Sequence, residues 1–372
     1  MKFADIPGQE NIKNQLTKSI KNNMLSHAII LSGQEGYGGL PLALATASYL
    51  NCENPSENDS CGVCPSCNKS EKLIHPDIHF TFPTITDDNS KTISCKSKIA
   101  EWREMIFENP YFSNLDWLNR IKAENKQGKI FMEECHQIIK NVSLTAFENK
   151  AKVQIIWSAE DMGNNANSLL KLIEEPSQHT FFIFLCKDIN KMLGTIVSRS
   201  RLIQLSAFSH EDIIEKLSAT ENISKENLME IAGLSSGNMH EAYRLINSGN
   251  VNYFEKMTNW LRACYMNDLI KVLDFSNELS DLGREKSKDF IKYTLRLIRE
   301  SFLKSSNLDQ LNRISVNEKD FVDKFSKLVN RNNIHPISEK LSNTIYYIER
   351  NANIKVVVFN LSLQLGLLLH KS

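Results

Sequence analysis

The chain predicts an α/β domain built on a parallel sheet of the phosphate-loop type, then a small helical lid, then a C-terminal all-α domain. Three observations predict it. An apolar run, Ala28-Ile29-Ile30-Leu31, leads into the glycine-rich turn Ser32 to Pro41 and out into a helical pattern from Leu42 to Leu50. Strand, glycine turn and helix in that order make the housing of a phosphate site, where backbone N–H groups and a helix N-terminus face the anion. A further buried strand with its exit at 152–160 and an apolar run at 180–185 are of the continuous kind that strands covered on both faces show. From about Val251 onward glycine and proline thin out, and helical stripes such as Ile291, Leu295, Ile298 and Phe302 replace them, the pattern of a helical bundle.

At 372 residues the chain exceeds one small core. The expected division is 1–207 for the nucleotide-binding-like domain, 208–248 for the lid and 249–372 for the helical domain. Hydrophobic residues at 41% and charged residues at 24% describe an ordinary globular protein, and 44 basic residues balance 44 acidic ones, which gives no sign of a wholesale polyanion binder and leaves local basic patches open. No charged leader with an apolar core opens the chain. The apolar stretch Val356 to Leu369 is interrupted by Asn360, Ser362 and Gln364 and reads as a buried helix, not a membrane span. Eight cysteines, four of them between positions 52 and 67, suit a metal site in a reducing compartment, so the expected location is the cytoplasm.

Taken in order, residues 1–27 carry Phe3, Ile6, Gly8-Gln9 and the helical stripe Ile12, Leu16, Ile20, with His27 read as a packed residue. The glycine turn follows. In G-x-x-x-x-G-K-[ST], Gly33 and Gly38 fill the glycine positions, but Gly39 stands where the lysine belongs and Leu40 where the magnesium-binding hydroxyl belongs. Pro41 removes a further backbone donor. Next come Cys52, Cys61, Cys64 and Cys67. Two overlapping C-x-x-C units and one upstream thiol supply four soft ligands, which suits a closed, tetrahedral, structural zinc. Cys95, Cys135, Cys186 and Cys264 lack such spacing and read as ordinary thiols.

His75-Pro76-Asp77 reads as a turn before the short strand Ile78 to Pro83. The polar stretch 84–128, with Trp102, Tyr111, Phe112 and Trp117, breaks the α/β rhythm and is expected to be an insertion with helices of its own. Ile130 to Val142 is an amphipathic helix, and Lys152 to Glu160 a buried strand with its exit. Phosphate-loop enzymes place an acidic pair at the end of this strand to hold magnesium and position water. Trp157 and Ser158 stand there instead, while Glu160 and Asp161 fall past the strand end and begin the following helix. A helix ended by Pro176, the strand Thr180 to Leu185, and the junction Ser198-Arg199-Ser200-Arg201 before Leu202 to Leu205 complete the domain. Ser209 is the expected N-cap of the next helix, with Asp212 at its third position.

Phe3-x-x-Ile6-x-Gly8-Gln9, His27-Ala28, the degenerate loop, the four cysteines, Leu169-Leu170-Lys171-x-x-Glu174-Glu175-Pro176 and Ser198-Arg199-Ser200 occur in the order seen in bacterial clamp-loader subunits of the AAA+ class, and the chain resembles that family. The changes at Gly39, Leu40, Trp157 and Ser158 make it similar to the non-hydrolysing delta-prime type and unlike the ATP-hydrolysing gamma/tau type. The resemblance covers residues 1–245 and, more weakly, the helices beyond. It implies that Arg199 acts as an arginine finger in a neighbouring subunit's ATP site, with Ser200 in place of the family's cysteine. It further implies that His240 stands where an active subunit carries a second-sensor arginine. By the same resemblance, this chain binds no ATP, and its last domain joins gamma/tau and delta subunits in a pentameric collar that loads the sliding clamp onto primed DNA. Two other readings stay open at this point: a self-sufficient P-loop ATPase with an unusual loop, which would bind Mg-ATP tightly, and a zinc-containing nucleic-acid-binding module, which would bind DNA alone in a salt-dependent way.

Overall fold

Five apolar segments become the strands of one sheet: β1 (Ala28–Ser32), β2 (Ile78–Thr81), β3 (Lys152–Ile156), β4 (Thr180–Cys186) and β5 (Arg201–Gln204). The order across the sheet is β2-β3-β4-β1-β5, and every pairing is parallel. In register, Ile30 lies between Phe184 and Leu202. The computed structural model describes residues 1–86, 92–123, 126–143, 148, 150–219, 223–247, 253–308, 314 and 316–370. Parts of the expected insertion (87–91 and 124–125) and the expected boundary at 248–249 lie outside the described residues.

Strand alternation divides the side chains between two cores. Ile29, Leu31, Val153, Ile155, Ile183 and Leu185 face one side of the sheet. Ala28, Ile30, Ile156, Phe182, Phe184 and Cys186 face the other. Burial on both faces explains why the strands read as continuous apolar runs without alternation. Helix Gly39–Asn51 covers the first face and helix Met132–Ser143 the second. The helix expected from the stripe Ile12, Leu16 and Ile20 runs over Glu10–Lys21.

Residues packed as one unit are Met1–Lys216 and Gly237–Glu241; Leu217–Ser236 and Ala242–Ser372 form a second. The second unit is all helical among the described residues, and long helices at Arg284–Ser305, Ile334–Glu349 and Ile354–Leu369 pack into one core. The last of these places Val358, Leu361, Leu365 and Leu369 inward, and Trp260 donates to the Ser362 hydroxyl at 2.8 Å. Among the described residues no helix is long and apolar enough to cross a membrane. The α/β sheet and the helical unit together match the fold class the sequence predicts.

Within 84–128, the described residues form helices Ile99–Glu108 and Asn114–Arg120. They do not stand apart from the sheet. Trp102 stacks on Phe82 at 4.3 Å between ring centroids and meets Trp117 and Trp157 at 5.1 Å each. Trp117 donates to the Pro83 carbonyl at 2.7 Å. The segment therefore closes one end of the main core.

In the helical unit, Glu230 has a buried carboxyl oxygen without a hydrogen-bond partner among the described residues. Burial, together with the Glu318 carboxylate, pushes its pKa up to about 7.

Trp102→Ala should cost about 3–5 kcal/mol in urea unfolding, whereas Leu115→Ala, on an exposed side chain, should stay within about 0.5 kcal/mol. A carboxyl raised in the fold destabilises it as pH climbs from the unfolded value, about 4.3, through the folded one. Glu230→Gln should therefore leave stability nearly unchanged at pH 4 and raise it at pH 8, read by urea melts at both.

Candidate functional site

The glycine turn leaves β1 at the carboxyl edge of the sheet, where β1 lies between β4 and β5, the place where open α/β sheets bind ligands. Gly36 and Gly38 have φ of 86° and 85°, which lets the chain fold back into helix Gly39–Asn51. An open cleft lies over the turn, with Gly36, Gly38 and Pro41 among its lining residues and Tyr111, Phe112 and Trp157 on its aromatic wall.

Three carbonyls of this turn and its one carboxylate are engaged within the chain. Asn238 donates to the Glu35 carbonyl at 2.8 Å, and the Met239 amide donates to the Gly36 carbonyl at 3.2 Å. Gln9 bridges the Tyr37 and Ser206 carbonyls at 3.1 and 2.6 Å. The Glu35 carboxylate accepts from the Asn114 amide at 3.0 Å and from Lys187 at 3.4 Å. Apolar side chains crowd the rest: a Cβ on Gly33 would come within 2.7 Å of Leu205, and one on Gly38 within 2.9 Å of Phe208.

At the end of β3, Trp157 is buried against Trp102 and Phe112. Ser158, at φ 56°, turns the chain so that its hydroxyl donates to Asp161 at 2.9 Å, and Asn114 donates to the same carboxylate oxygen, also at 2.9 Å. Glu160 and Asp161 sit in the short 3-10 turn that begins at Ala159 and breaks at Gly163 (φ 50°), past the strand end as the sequence predicts, and burial raises the pKa of both. His240 lies 3.3 Å from Asp116 in an ion-pair geometry. The loop, the strand exit and residues 237–241 are thus joined through helix Asn114–Arg120.

The four cysteines expected to bind metal come together. Their Sγ atoms all lie within 4.8 Å of one another, and the cluster could hold a metal ion. A tetrahedral ion with Zn–S bonds of ~2.3 Å spaces its sulfurs ~3.8 Å apart, and Cys61 and Cys67 are at 3.9 Å. Amides of Cys61, Cys64 and Cys67 donate to the sulfurs of Cys52, Cys61 and Cys64 at 3.2, 3.4 and 3.4 Å. Backbone donors from Val63 and Cys64 pull the Cys61 thiol down to about 6, while burial pushes Cys67 up to about 12. Donors aimed at sulfur and the turn at Gly62, φ 74°, are what a thiolate-bound ion requires.

Beside the cluster, His75 Nε2 lies 3.0 Å from the Ser66 hydroxyl and 3.2 Å from Glu148. These are the residue types of a hydrolytic triad, but the Asp77 amide donates to His75 Nδ1 at 3.1 Å, which places the neutral ring's proton on Nε2. With that proton, Nε2 cannot serve as a base toward Ser66. His75 and Asp77 form the turn before β2, as expected from sequence.

Arg199 follows the short helix Gly194–Val197 and precedes β5, at the helix-to-strand junction the sequence predicts. Its side chain is 38% exposed. Nε donates to Glu174 at 2.6 Å, and Nη1 donates to the Thr195 carbonyl at 3.0 Å and to the Ser198 hydroxyl at 3.3 Å. Arg201 is exposed at the start of β5.

With this geometry in place, the profile of the family described as "DNA polymerase III, delta subunit" matches residues 8–209, more than half of the chain. The chain belongs to this family. Relatives of the DNA polymerase III family member include the gamma subunit of Buchnera aphidicola subsp. Acyrthosiphon pisum, 27% identical over 67% of this chain and 60% of that protein. The delta-prime subunit of Bacillus subtilis is 28% identical over 64% of this chain and 59% of its own length. The match spans about 60% of the length of these relatives. Among solved structures, a gamma-subunit-related protein of Thermotoga maritima is similar at 14% identity and TM-score 0.34, covering 95% of this chain and 98% of that one.

Several residues that shape the family member's site stand outside any sequence expectation of contact. Asn114, Asp116 and Asn238 meet Glu35, His240 and the loop across separations that periodicity does not report.

Gly36→Ala forces a β-carbon into a φ of 86° and to within 1.9 Å of Asn238 Oδ1, and should cost about 1–3 kcal/mol in urea unfolding. Gly194→Ala, with nothing within 4 Å, should be neutral or stabilise by up to about 1 kcal/mol.

Proposed function

We propose that this clamp-loader family member is a non-hydrolysing subunit of the delta-prime type, which supplies Arg199 in trans to a gamma-type ATPase neighbour. The observation that carries the reading is a contrast between two places in the chain. The loop's carbonyls and its one carboxylate are engaged by the chain's own Gln9, Asn114, Lys187, Asn238 and Met239. Arg199, by comparison, is part exposed, and its Nη2 has no partner among the described residues. A guanidinium so placed can stabilise charge on a phosphoryl group that another subunit presents.

Neither an ammonium at Gly39 nor a hydroxyl at Leu40 is available to hold a β/γ-phosphate and its magnesium. Trp157, packed in the aromatic cluster, takes the space of the metal-holding carboxylate. His240 is paired with Asp116 and takes the place of a sensor arginine. The helical unit would join gamma/tau and delta subunits in the collar, and the assembly would load the sliding clamp onto primed DNA.

For the four cysteines we propose a structural zinc. Cys52, Cys61, Cys64 and Cys67 would hold it, and with four thiolates no position is left for water, so the ion would brace the knuckle and take no part in chemistry.

In a loader reconstituted with its ATPase partners, Arg199→Ala should enter the assembly normally and lower the DNA-stimulated kcat for ATP by about 10-fold or more; an unchanged rate would sink the finger assignment. Dialysed protein should retain about one equivalent of zinc, and Cys64→Ser less than about half an equivalent, by elemental analysis.

A further inference from the structure

We propose that Glu174 is the positioning residue for Arg199: its carboxylate holds the guanidinium in the one rotamer that leaves the Nη2 edge open to a neighbour's phosphate. This rests on the reading of Arg199 as a trans-acting finger.

A guanidinium carries five N–H donors, one on Nε and two on each terminal nitrogen. Glu174 takes the Nε proton at 2.6 Å, and the Thr195 carbonyl and Ser198 hydroxyl take the two on Nη1. Three acceptors on two sides of a planar fork fix both its position and its tilt. The two N–H groups on Nη2 remain.

The residues around Glu174 explain how its carboxylate comes to this spot. Glu174 is the last residue of helix Leu170–Glu174. Pro176 disfavours helical geometry at the residue before it, and Glu175 accordingly takes φ −124°, ψ 69°. The helix therefore stops with Glu174 at its end, packed against the helix Gly194–Val197 that leads into Arg199. Thus the Glu-Glu-Pro sequence places one carboxylate and leaves the next, Glu175, exposed with no side-chain partner among the described residues.

An exposed ion pair contributes little to folding. Its effect here lies on the geometry of a charged group in a transition state, where small misplacement is costly in rate. The reconstituted loader provides the test, with kcat and KM for ATP measured separately. Glu174→Ala should lower kcat about 5-fold with KM within about 2-fold, while E174Q, which keeps an acceptor oxygen, should recover to within about 2-fold of the parent. E175A should match the parent. E174A combined with R199A should fall no lower than R199A alone, since both act through one guanidinium.

Should R199A lower the rate while E174A equals or exceeds the parent, Arg199 stands and the role of Glu174 is overturned; an additive fall in the double variant overturns it as well. An unchanged rate in R199A removes the finger reading itself. If E174A fails to assemble, E174D, which draws the carboxylate back by one methylene, reads the same question: a lower kcat supports the inference and a parental kcat overturns it.

Discussion

Glu35 is the pin on which the site depends. Its side-chain carboxylate sits between the Asn114 amide and Lys187, and its own carbonyl accepts from Asn238. A phosphate-binding turn works by keeping N–H groups free and convergent on an anion. Here three carbonyls of the turn accept from the chain's own Gln9, Asn238 and Met239, and the Glu35 carboxylate adds a negative charge beside it. The same helix that meets Glu35, Asn114–Arg120, also meets Asp161 through Asn114 and His240 through Asp116. One short helix thereby fixes the three places where an ATPase would bind metal and phosphate.

The aromatic cluster anchors that helix through Trp117. Phe82, Trp102, Phe112, Trp117 and Trp157 pack ring against ring at 4.3–5.3 Å. Edge-to-face and offset contacts of this kind add to the area buried. Trp157, at the exit of β3, supplies one of the rings on which the described part of the 84–128 segment packs.

Much of this was legible in the sequence, for reasons that differ by element. Strands buried on both faces announce themselves as apolar runs, and the helices at 10–21 and 354–369 by their stripes. The clustering of the four cysteines was legible because C-x-x-C spacing is local. The capping pair was local too: Asp212 receives the Ser209 amide and gives its own to the Ser209 hydroxyl at 2.8 and 3.0 Å. The packing of 84–128 was not legible, because its aromatics look scattered until the β2 and β3 exits bring Phe82 and Trp157 among them. Nor was the Glu174–Arg199 pair, since Glu174 stands in a helix motif and Arg199 in a turn, and only the fold brings the two side chains to hydrogen-bonding distance.

The central proposal is that the loop acts as a brace for the domain that would present Arg199, and not as a nucleotide site. The most direct measurement is calorimetric titration of the isolated chain with ATP in the presence and absence of magnesium. The account predicts no saturable heat up to about 1 mM nucleotide in either condition, weaker than about −4 kcal/mol. Magnesium-dependent binding in the low micromolar range would contradict it.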